Sequence, residues 1–434
     1  MKKYIYTLTI ALGLSSCSFI EVEPVTAIDQ DQAIANKTGV ERALAGAYDG
    51  LQSSRLYGLQ NVLIPDLLTE NLEWAGTTQD YGEYDNNNMS VENAINTGIW
   101  GDSYYTINLV NNIIEKVSGL EDLSADEKLQ YEAEARFIRA LNYFNLYRYY
   151  GGVPLKQKST QNTQSESINV PRSAKEEIEV LLIDDLSFAV ENLQNTSPNY
   201  ASKYAALGLL GKLKTIMGDY DDAYMIFDEI ISEGNYRLDN SYENVFSGNS
   251  SEIIFSLEFN SQDKNQLANY FIDRKEIIPT SKFIQGYETG DLRKDYTIGA
   301  KNLVYKYPDL TTGADNVPVL RLADIILLRA ETALFKTVTD YSMAVADINS
   351  IRERAGLNPI SESTSKDDLL NSILKERKYE FAFEGKYWFD LLRTKKAIEV
   401  LPNVTNTDQL LMPIPLDELN TNEAIDVSDQ NPGY

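Results

Sequence analysis

The chain has 434 residues, a formal net charge of −26, one cysteine and no histidine. The missing histidine excludes Ser-His-Asp and Cys-His catalysis and histidine-liganded zinc, and the acidic charge disfavours nucleic acid as a partner. Carboxylate chemistry stays open, so glycoside hydrolysis by a pair of acidic residues passes this test. The length suits one large domain or two closely packed ones.

The N-terminal segment has the pattern of a lipoprotein export signal. A short positive region precedes the apolar run 4–14, which is too short to span a bilayer, and a Leu-Ser-Ser-Cys lipobox ends at Cys17. We therefore expect residues 1–16 to be a signal peptide and Cys17 to carry the lipid of a tether over 17–36. An exported chain with no other thiol forms no internal disulfide, which favours this interpretation over an ordinary secretory signal.

Helical periodicity dominates after the tether. Apolar residues at helical spacing predict helices over 39–52, 99–117, 125–150, 173–194 and 367–399. A capping box from Ser124 to Glu127 predicts the start of the third helix, and a second box from Ser173 to Glu176 predicts the start of the fourth.

Two further segments have the pattern of helix–turn–helix repeats. Residues 201–233 are of about tetratricopeptide length, with a joint at Gly218 and the small residues Ala205, Gly208 and Gly211 to let two helices approach. Residues 318–356 repeat the pattern. Helices 39–52 with 99–117, and 125–150 with 173–194, supply further pairs, so the sequence predicts an α-solenoid-like row of helix pairs.

Three regions interrupt this pattern. Residues 53–98 mix polar and aromatic side chains, residues 235–317 are irregular with a strand-like run at 251–259, and residues 400–434 form a polar tail. Loops of this length are usually functional or disordered, and the aromatic content argues against disorder.

Six segments, in chain order, resemble the SusD-like (RagB/SusD) outer-membrane lipoproteins. They are AEARFIRALNYFNLYRYYGGVPL at 133–155, RLADIILLRAETAL at 321–334, INSIRERAGL at 348–357, ILKERKYEFAFEGKYWFDLLRT at 373–394, MPIPLDEL at 412–419 and QNPGY at 430–434. Together with the lipobox, they extend the resemblance over nearly the whole chain.

The resemblance implies a mainly α fold: a scaffold of about four tetratricopeptide-like helix pairs with a loop-rich, irregular ligand-binding portion packed on it. Residues 37–434 would form a single SusD-like domain with loop-rich insertions at 53–98 and 235–317. The implied role is non-catalytic and needs no cofactor. Such a protein binds glycan at the outer membrane, lipid-anchored and facing the cell exterior, as a lid on a SusC-like TonB-dependent transporter.

The acidic run within 376–393 allows two interpretations. Glu376 and Glu380 lie four residues apart on one helical face and could be a catalytic pair. The alternative, which we favour, is an ion-paired helix, because hydrolysis needs two carboxylates facing each other across a cleft. The basic residues expected to neutralise the run are Arg377, Lys378, Lys386 and Arg393.

Trp74 is the only tryptophan outside the matched helices, and it lies in a segment rich in polar groups. Sugar rings present a flat apolar face and an equator of hydroxyls, so they need aromatic plates with amides and carboxylates around them. We predict glycan contacts from Trp74, Tyr81, Tyr84, Asp66, Asn71 and Asn86, with Tyr270 as a candidate from the second irregular region. The alternative is that Trp74 only pins its loop.

Charge favours a neutral glycan, because residues 66–88 contain no lysine or arginine. The run YDNNN at 84–88 has oxygen ligands for calcium but no EF-hand spacing, so we expect a solvated polar loop there. Two other functions stay open from the residues alone: a carboxylate-dependent glycoside hydrolase, and a scaffold that binds only protein.

Overall fold

The computed structural model describes residues 33–160, 166–299, 301–361 and 365–434. The predicted signal peptide, Cys17 and the tether up to residue 32 lie outside these ranges. The elements, in chain order, are α1 Lys37–Gln52, α2 Gln60–Leu67, β1 Leu72–Trp74, α3 Gln79–Asp85, α4 Ala94–Val117, α5 Ala125–Tyr150, α6 Lys175–Asn192, α7 Lys203–Met217, α8 Tyr220–Glu233, β2 Ile253–Leu257, β3 Ile277–Pro279, α9 Ser281–Gln285, α10 Arg293–Thr297, β4 Val317–Arg321, α11 Leu322–Phe335, α12 Tyr341–Arg354, α13 Lys366–Glu380, α14 Tyr387–Arg393, α15 Ala397–Val400 and α16 Leu416–Thr421.

Eight helices form the scaffold, and each packs against the next in the order α1, α4, α5, α6, α7, α8, α11 and α12. The predicted pairing of α1 with α4 and of α5 with α6 is present. The prediction of a mainly α, tetratricopeptide-like architecture is confirmed. In the ranges described, no helix is both long and apolar enough to span a membrane.

The two predicted capping boxes have different outcomes. At α5 the hydroxyl of Ser124 accepts from the Glu127 amide at 3.3 Å, and the Glu127 carboxylate accepts from the Ser124 amide at 2.9 Å. The box at Ser173 is wrong by one residue, since α6 is capped at Ala174. The Ala174 amide donates to the carboxylate of Glu177 at 2.9 Å. The acidic side chain alone therefore caps the N-terminus of α6.

The joint between α7 and α8 lies where the sequence predicts it. Gly218 ends α7 in the left-handed conformation, with φ 86°. Gly211 lets the two helices approach, because a Cβ there would lie 2.5 Å from the ring of Phe227. Gly208 has another role: a Cβ there would meet Leu320 at 3.3 Å, so this glycine accommodates β4 rather than α8.

Two predicted helices are interrupted. The segment 318–356 begins as a strand, β4, which pairs antiparallel with β2 and confirms the strand-like run at 251–259. The segment 367–399 breaks after α13 because Phe383 and Gly385 adopt positive φ of 63° and 70°. The chain then turns and restarts as α14, since a left-handed residue cannot continue a right-handed helix.

The expectation of a long loop at 53–98 is wrong, because this region contains α2, β1 and α3 and its residues are largely buried. Strand β1 pairs antiparallel with β3, placing Leu72 opposite Pro279 and Trp74 opposite Ile277. The pairing satisfies backbone groups that a buried loop would leave without partners. It also joins the two irregular regions predicted at 53–98 and 235–317 into one structure.

Candidate functional site

The acidic residues of α13 form buried ion pairs. Glu376 and Glu380 are both buried. Glu376 contacts Arg293 at 2.9 Å and Arg352 at 2.5 Å. Glu380 contacts Arg321 at 2.6 Å and also pairs with Arg354. Neither carboxylate faces a substrate cleft, so the ion-paired interpretation is confirmed over the catalytic one.

The partners of this run agree with the predicted ones only in part. Glu376 and Glu380 are neutralised by arginines of α10, β4 and α12 rather than by those of α13 and α14. Arg377 neutralises Asp390, as predicted, and also donates to Asp324, both at 2.8 Å. Arg393 pairs with Glu331 and with Asp390. Long-range packing selects the partners of Glu376 and Glu380, whereas Asp390 and Arg393 pair through their spacing along α14.

Trp74 lies at the end of β1 and is partly exposed. Its backbone amide donates to the Asp85 carboxylate at 3.1 Å, which ties β1 to the end of α3. The six-membered ring lies against Gly82, where a Cβ would come within 2.9 Å of two ring carbons. The indole nitrogen is buried and has no hydrogen-bond partner in the described residues. The indole therefore packs against α3, and the residue as a whole keeps part of its surface exposed.

Tyr270 is the second aromatic side chain that stays partly exposed in this region. Its ring meets Tyr81 edge to face, with centroids 5.7 Å apart. The guanidinium of Arg274 lies 4.6 Å from the Tyr270 ring centroid and pairs with the carboxylate of Glu276. Because Arg274 precedes β3 closely, the β1–β3 pairing joins the segment that carries this group to the end of β1, where Trp74 lies.

Burial contradicts the predicted ligand contact for four residues. Tyr81, Tyr84, Asp66 and Asn71 have almost no exposed surface, so none of them offers a plate or a polar group to a ligand in this structure. Tyr81 and Tyr84 lie three residues apart on the inner face of α3. That helical spacing is the signal in the sequence that could have identified them as core residues.

Asp66 and Asn71 form a buried polar pair with a structural role. The Asp66 carboxylate accepts from the Asn71 side chain at 2.7 Å and from the Gly385 amide at 3.0 Å. Burial raises the pKa of Asp66 to about 6, and these hydrogen bonds partly oppose that rise. The pair connects the start of the β1 segment to the turn between α13 and α14.

Asn86 is exposed, and its side-chain amide donates to the Gly82 carbonyl at 2.7 Å. The adjacent Asn87 is buried in a left-handed conformation and donates to the Leu68 carbonyl at 3.2 Å. The run 84–88 is thus the end of α3 and a tight turn rather than a solvated loop. Over the described residues, no group of three or more acidic side chains is arranged to hold a metal ion.

Sequence reasoning missed three residues that shape the aromatic surface: Gly82, Arg274 and Glu276. The Glu276 carboxylate accepts from the Thr78 hydroxyl at 3.2 Å, and its carbonyl accepts from the Ala75 amide at 2.8 Å. No signal within 66–88 could reveal Arg274 and Glu276, because they arrive through the β1–β3 pairing. We call the surface formed by Trp74, Tyr270 and Arg274 the aromatic surface.

A row of helix pairs carrying an exposed aromatic surface, with its acidic run locked in ion pairs, defines a helical-repeat binding protein. Comparison with known proteins gives the family. A sequence model described as the SusD family matches residues 290–401, and one described as starch-binding, associating with the outer membrane, matches residues 18–214. The two matches together cover more than half of the chain, and the protein belongs to the SusD-like family.

Relatives and solved structures agree with this assignment. SusD-like protein P38 of Formosa agariphila is 25% identical, covering 94% of this chain and 95% of its own. A SusD superfamily protein of Parabacteroides distasonis has a TM-score of 0.80 at 23% identity, covering 91% of this chain and 99% of its own. A laminarin-binding SusD-like protein has a TM-score of 0.80 at 22% identity, covering 92% and 100%.

Members of this family are glycan-binding proteins associated with the outer membrane and are not enzymes. The prediction of a non-catalytic protein is therefore confirmed, and the hydrolase alternative is set aside.

Proposed function

We propose that this protein captures a neutral polysaccharide or oligosaccharide at the cell surface and delivers it to a SusC-like TonB-dependent transporter. The observation that carries the proposal is the aromatic surface, where Trp74 and Tyr270 stay partly exposed on the irregular portion of a helical scaffold. Flat apolar rings with polar groups at their edges suit the two faces of a sugar. The laminarin-binding protein that shares this fold supports the ligand class.

Charge supports a neutral ligand. The fold brings Arg274 and Lys282 against the acidic segment 66–88, but each is ion-paired there, Arg274 with Glu276 and Lys282 with Glu70. A uronate or sulfate group on a glycan would have to compete with these carboxylates for the cations. A neutral sugar has no such cost, and the net charge of the protein does not repel it.

Replacing Trp74 with alanine is expected to weaken glycan binding about tenfold or more, because aromatic anchors contribute most of the energy at such sites. The measurement is affinity electrophoresis and calorimetry with laminarin, starch and inulin as neutral glycans, and alginate and a sulfated glycan as anionic ones. Far-UV circular dichroism checks the fold of the variant.

Tyr341→Ala is the matched control, because Tyr341 is an exposed aromatic residue on α12, in another part of the chain. It should bind as the wild type does. Binding only to alginate or to the sulfated glycan would contradict a neutral ligand. If the wild type retains no glycan at all, a protein-binding scaffold becomes the better description.

Anchoring and delivery are tested together with Cys17→Ser, which removes the thiol that the lipobox presents for lipidation. We expect the wild-type chain to fractionate with the outer membrane, to be cleaved by protease added to intact cells, and to co-purify with a protein identified by mass spectrometry as a TonB-dependent transporter. The Cys17→Ser chain should leave the membrane fraction. Retention of this variant in the membrane at the wild-type level would contradict a lipid anchor.

A further inference from the structure

An open cleft of about 490 Å³ lies between the helical region formed by α1 and α4 and the second irregular region. Its walls come from the end of α1, the middle of α4 and the segment 263–266. The polar, charged and aromatic side chains that line it include Asp49, Gln52, Asp102, Tyr105, Asp263, Lys264 and Gln266. The volume is in the range of small-ligand sites, and the lining combines one aromatic plate with carboxylates and amides.

Tyr105 is the aromatic side chain in the wall of this cleft. It is 61% exposed, although it belongs to a helix whose nearby Trp100 is buried in the core. Gly101 lies one turn before it, and a Cβ at that position would meet nothing within 4 Å. Because helical side chains lean toward the N-terminal turn, the missing side chain at Gly101 leaves space beside the Tyr105 ring. An uncovered ring on the wall of a cleft can accept the apolar face of a sugar.

The polar groups of the cleft are available acceptors. The side chains of Asp49 and Asp263 accept no hydrogen bond from the described part of the chain. Burial, together with the charge of Asp49, raises the pKa of Asp263, which indicates that the two carboxylates lie near each other. Asp102 is held in place by Ser53 and by Arg55, the latter at 3.1 Å. Carboxylates of this kind suit hydroxyl donors, and the ammonium of Lys264, which donates to the Thr311 carbonyl at 3.3 Å, adds a cation to the lining.

One short segment contributes residues to both the cleft and the aromatic surface. The Gln266 carbonyl accepts from the Tyr270 amide at 3.1 Å, so the two residues stand one helical turn apart. The Gln266 amide donates to the Gly58 carbonyl at 2.9 Å, which fixes this segment to the end of the α1 connection. The cleft and the aromatic surface are therefore connected through the segment that carries Gln266 and Tyr270.

We propose that this cleft is a second subsite for the same neutral glycan, in which Tyr105 stacks on a sugar ring further along the chain than the ring held by Trp74 and Tyr270. The inference rests on the proposed function. It assigns to this protein a preference for glycans long enough to fill both subsites, because a second contact on one ligand adds to the affinity without a second association step.

The test compares laminarin, starch and inulin with short oligosaccharides of each, by calorimetry on the wild type, Tyr105→Ala, Trp74→Ala and the control Tyr341→Ala. Tyr105→Ala should weaken binding of the retained polysaccharide about tenfold and leave its short oligosaccharides unchanged. Gly101→Leu, which keeps the ring but fills the space beside it, should have the same selective effect and guards against an indirect loss in the first variant.

The outcomes separate the two proposals. If Trp74→Ala loses affinity while Tyr105→Ala and Gly101→Leu bind the polysaccharide as the wild type does, the second subsite is overturned and the proposed function stands. If Tyr105→Ala weakens short and long glycans equally, Tyr105 belongs to the primary site and the second subsite is again overturned. If the wild type binds none of the glycans, the proposed function itself fails.

Discussion

Replacing Arg321 with methionine is expected to lower the free energy of unfolding by about 3–5 kcal/mol, because it leaves buried carboxylates without their partner. The Arg321 guanidinium is fully buried. It donates to Glu252 and Glu380 at 2.6 Å and to both oxygens of Glu384 at 2.9 Å. It thus joins β4 to the segment before β2 and to the α13–α14 turn.

Two carboxylates of this network, Glu380 and Glu384, have their pKa lowered in the folded protein and are charged. Burial by itself raises the pKa of Glu380, but the nearby charges of Arg354 and Arg321 outweigh it and hold that pKa below its usual range. Without Arg321, these carboxylates must either stay charged with too few cations or take up protons. Both routes cost free energy in a water-excluded site.

The measurement is denaturant unfolding followed by far-UV circular dichroism at neutral pH. Lys203→Met is the matched control, since Lys203 pairs with Glu229 at 2.8 Å but the two side chains keep 40% and 35% of their surface exposed. An exposed pair contributes roughly 0–1 kcal/mol, so this variant should unfold nearly as the wild type does. A loss below about 1 kcal/mol for Arg321→Met would show that the cluster is dispensable for folding.

Gly385→Ala is expected to destabilise the protein by about 2–4 kcal/mol, because the backbone conformation and the packing both require glycine. Gly385 has φ 70°, in the left-handed region. A Cβ there would clash with the carbonyl oxygen of Asn61 and lie 3.1 Å from the Val62 Cα, and both groups belong to α2. The change would also displace the Gly385 amide from the Asp66 carboxylate.

Thermal unfolding of Gly385→Ala and of Gly46→Ala gives a matched comparison. Gly46 lies inside α1, and a Cβ there would meet nothing within 4 Å. Alanine at that position should raise stability by about 0.5–1 kcal/mol, the usual gain for replacing a helical glycine. Equal melting temperatures for Gly385→Ala and the wild type would mean that the α13–α14 turn can move away from α2, contrary to the close packing seen here.

The candidate glycan site shows which of its residues local sequence patterns could identify. The sequence singled out Trp74 and Tyr270, and both are partly exposed in the structure. It grouped with them Tyr81, Tyr84, Asp66 and Asn71, which are buried. Glycine and polar residues in 53–98 have the composition of a loop, but the helix of Tyr81 and Tyr84 depends on packing against distant segments. Tyr105 was missed because it lies in a helix whose pattern is otherwise that of a core element.

Local signals by themselves determined the helical architecture. The Ser124 capping box, the joint at Gly218 and the strand-like run at 251–259 depend on neighbours a few residues apart, and the structure contains each of them. The acidic run of α13 was likewise identified as ion-paired from its own composition. Such features involve hydrogen bonds and side-chain faces that form within one element, so the sequence alone is sufficient.

Only the tertiary structure decided which partners those elements take. Glu380 pairs with Arg321 and Arg354, which lie on other elements, rather than with the cations of its own helix. The pairing of β1 with β3 joins Trp74 to the segment that carries Arg274, and segment 263–266 brings Gln266 to the cleft of Tyr105. These contacts join residues far apart in the chain, and burial favours whichever geometry satisfies the most charges and backbone groups at once. No pattern within one segment contains that information.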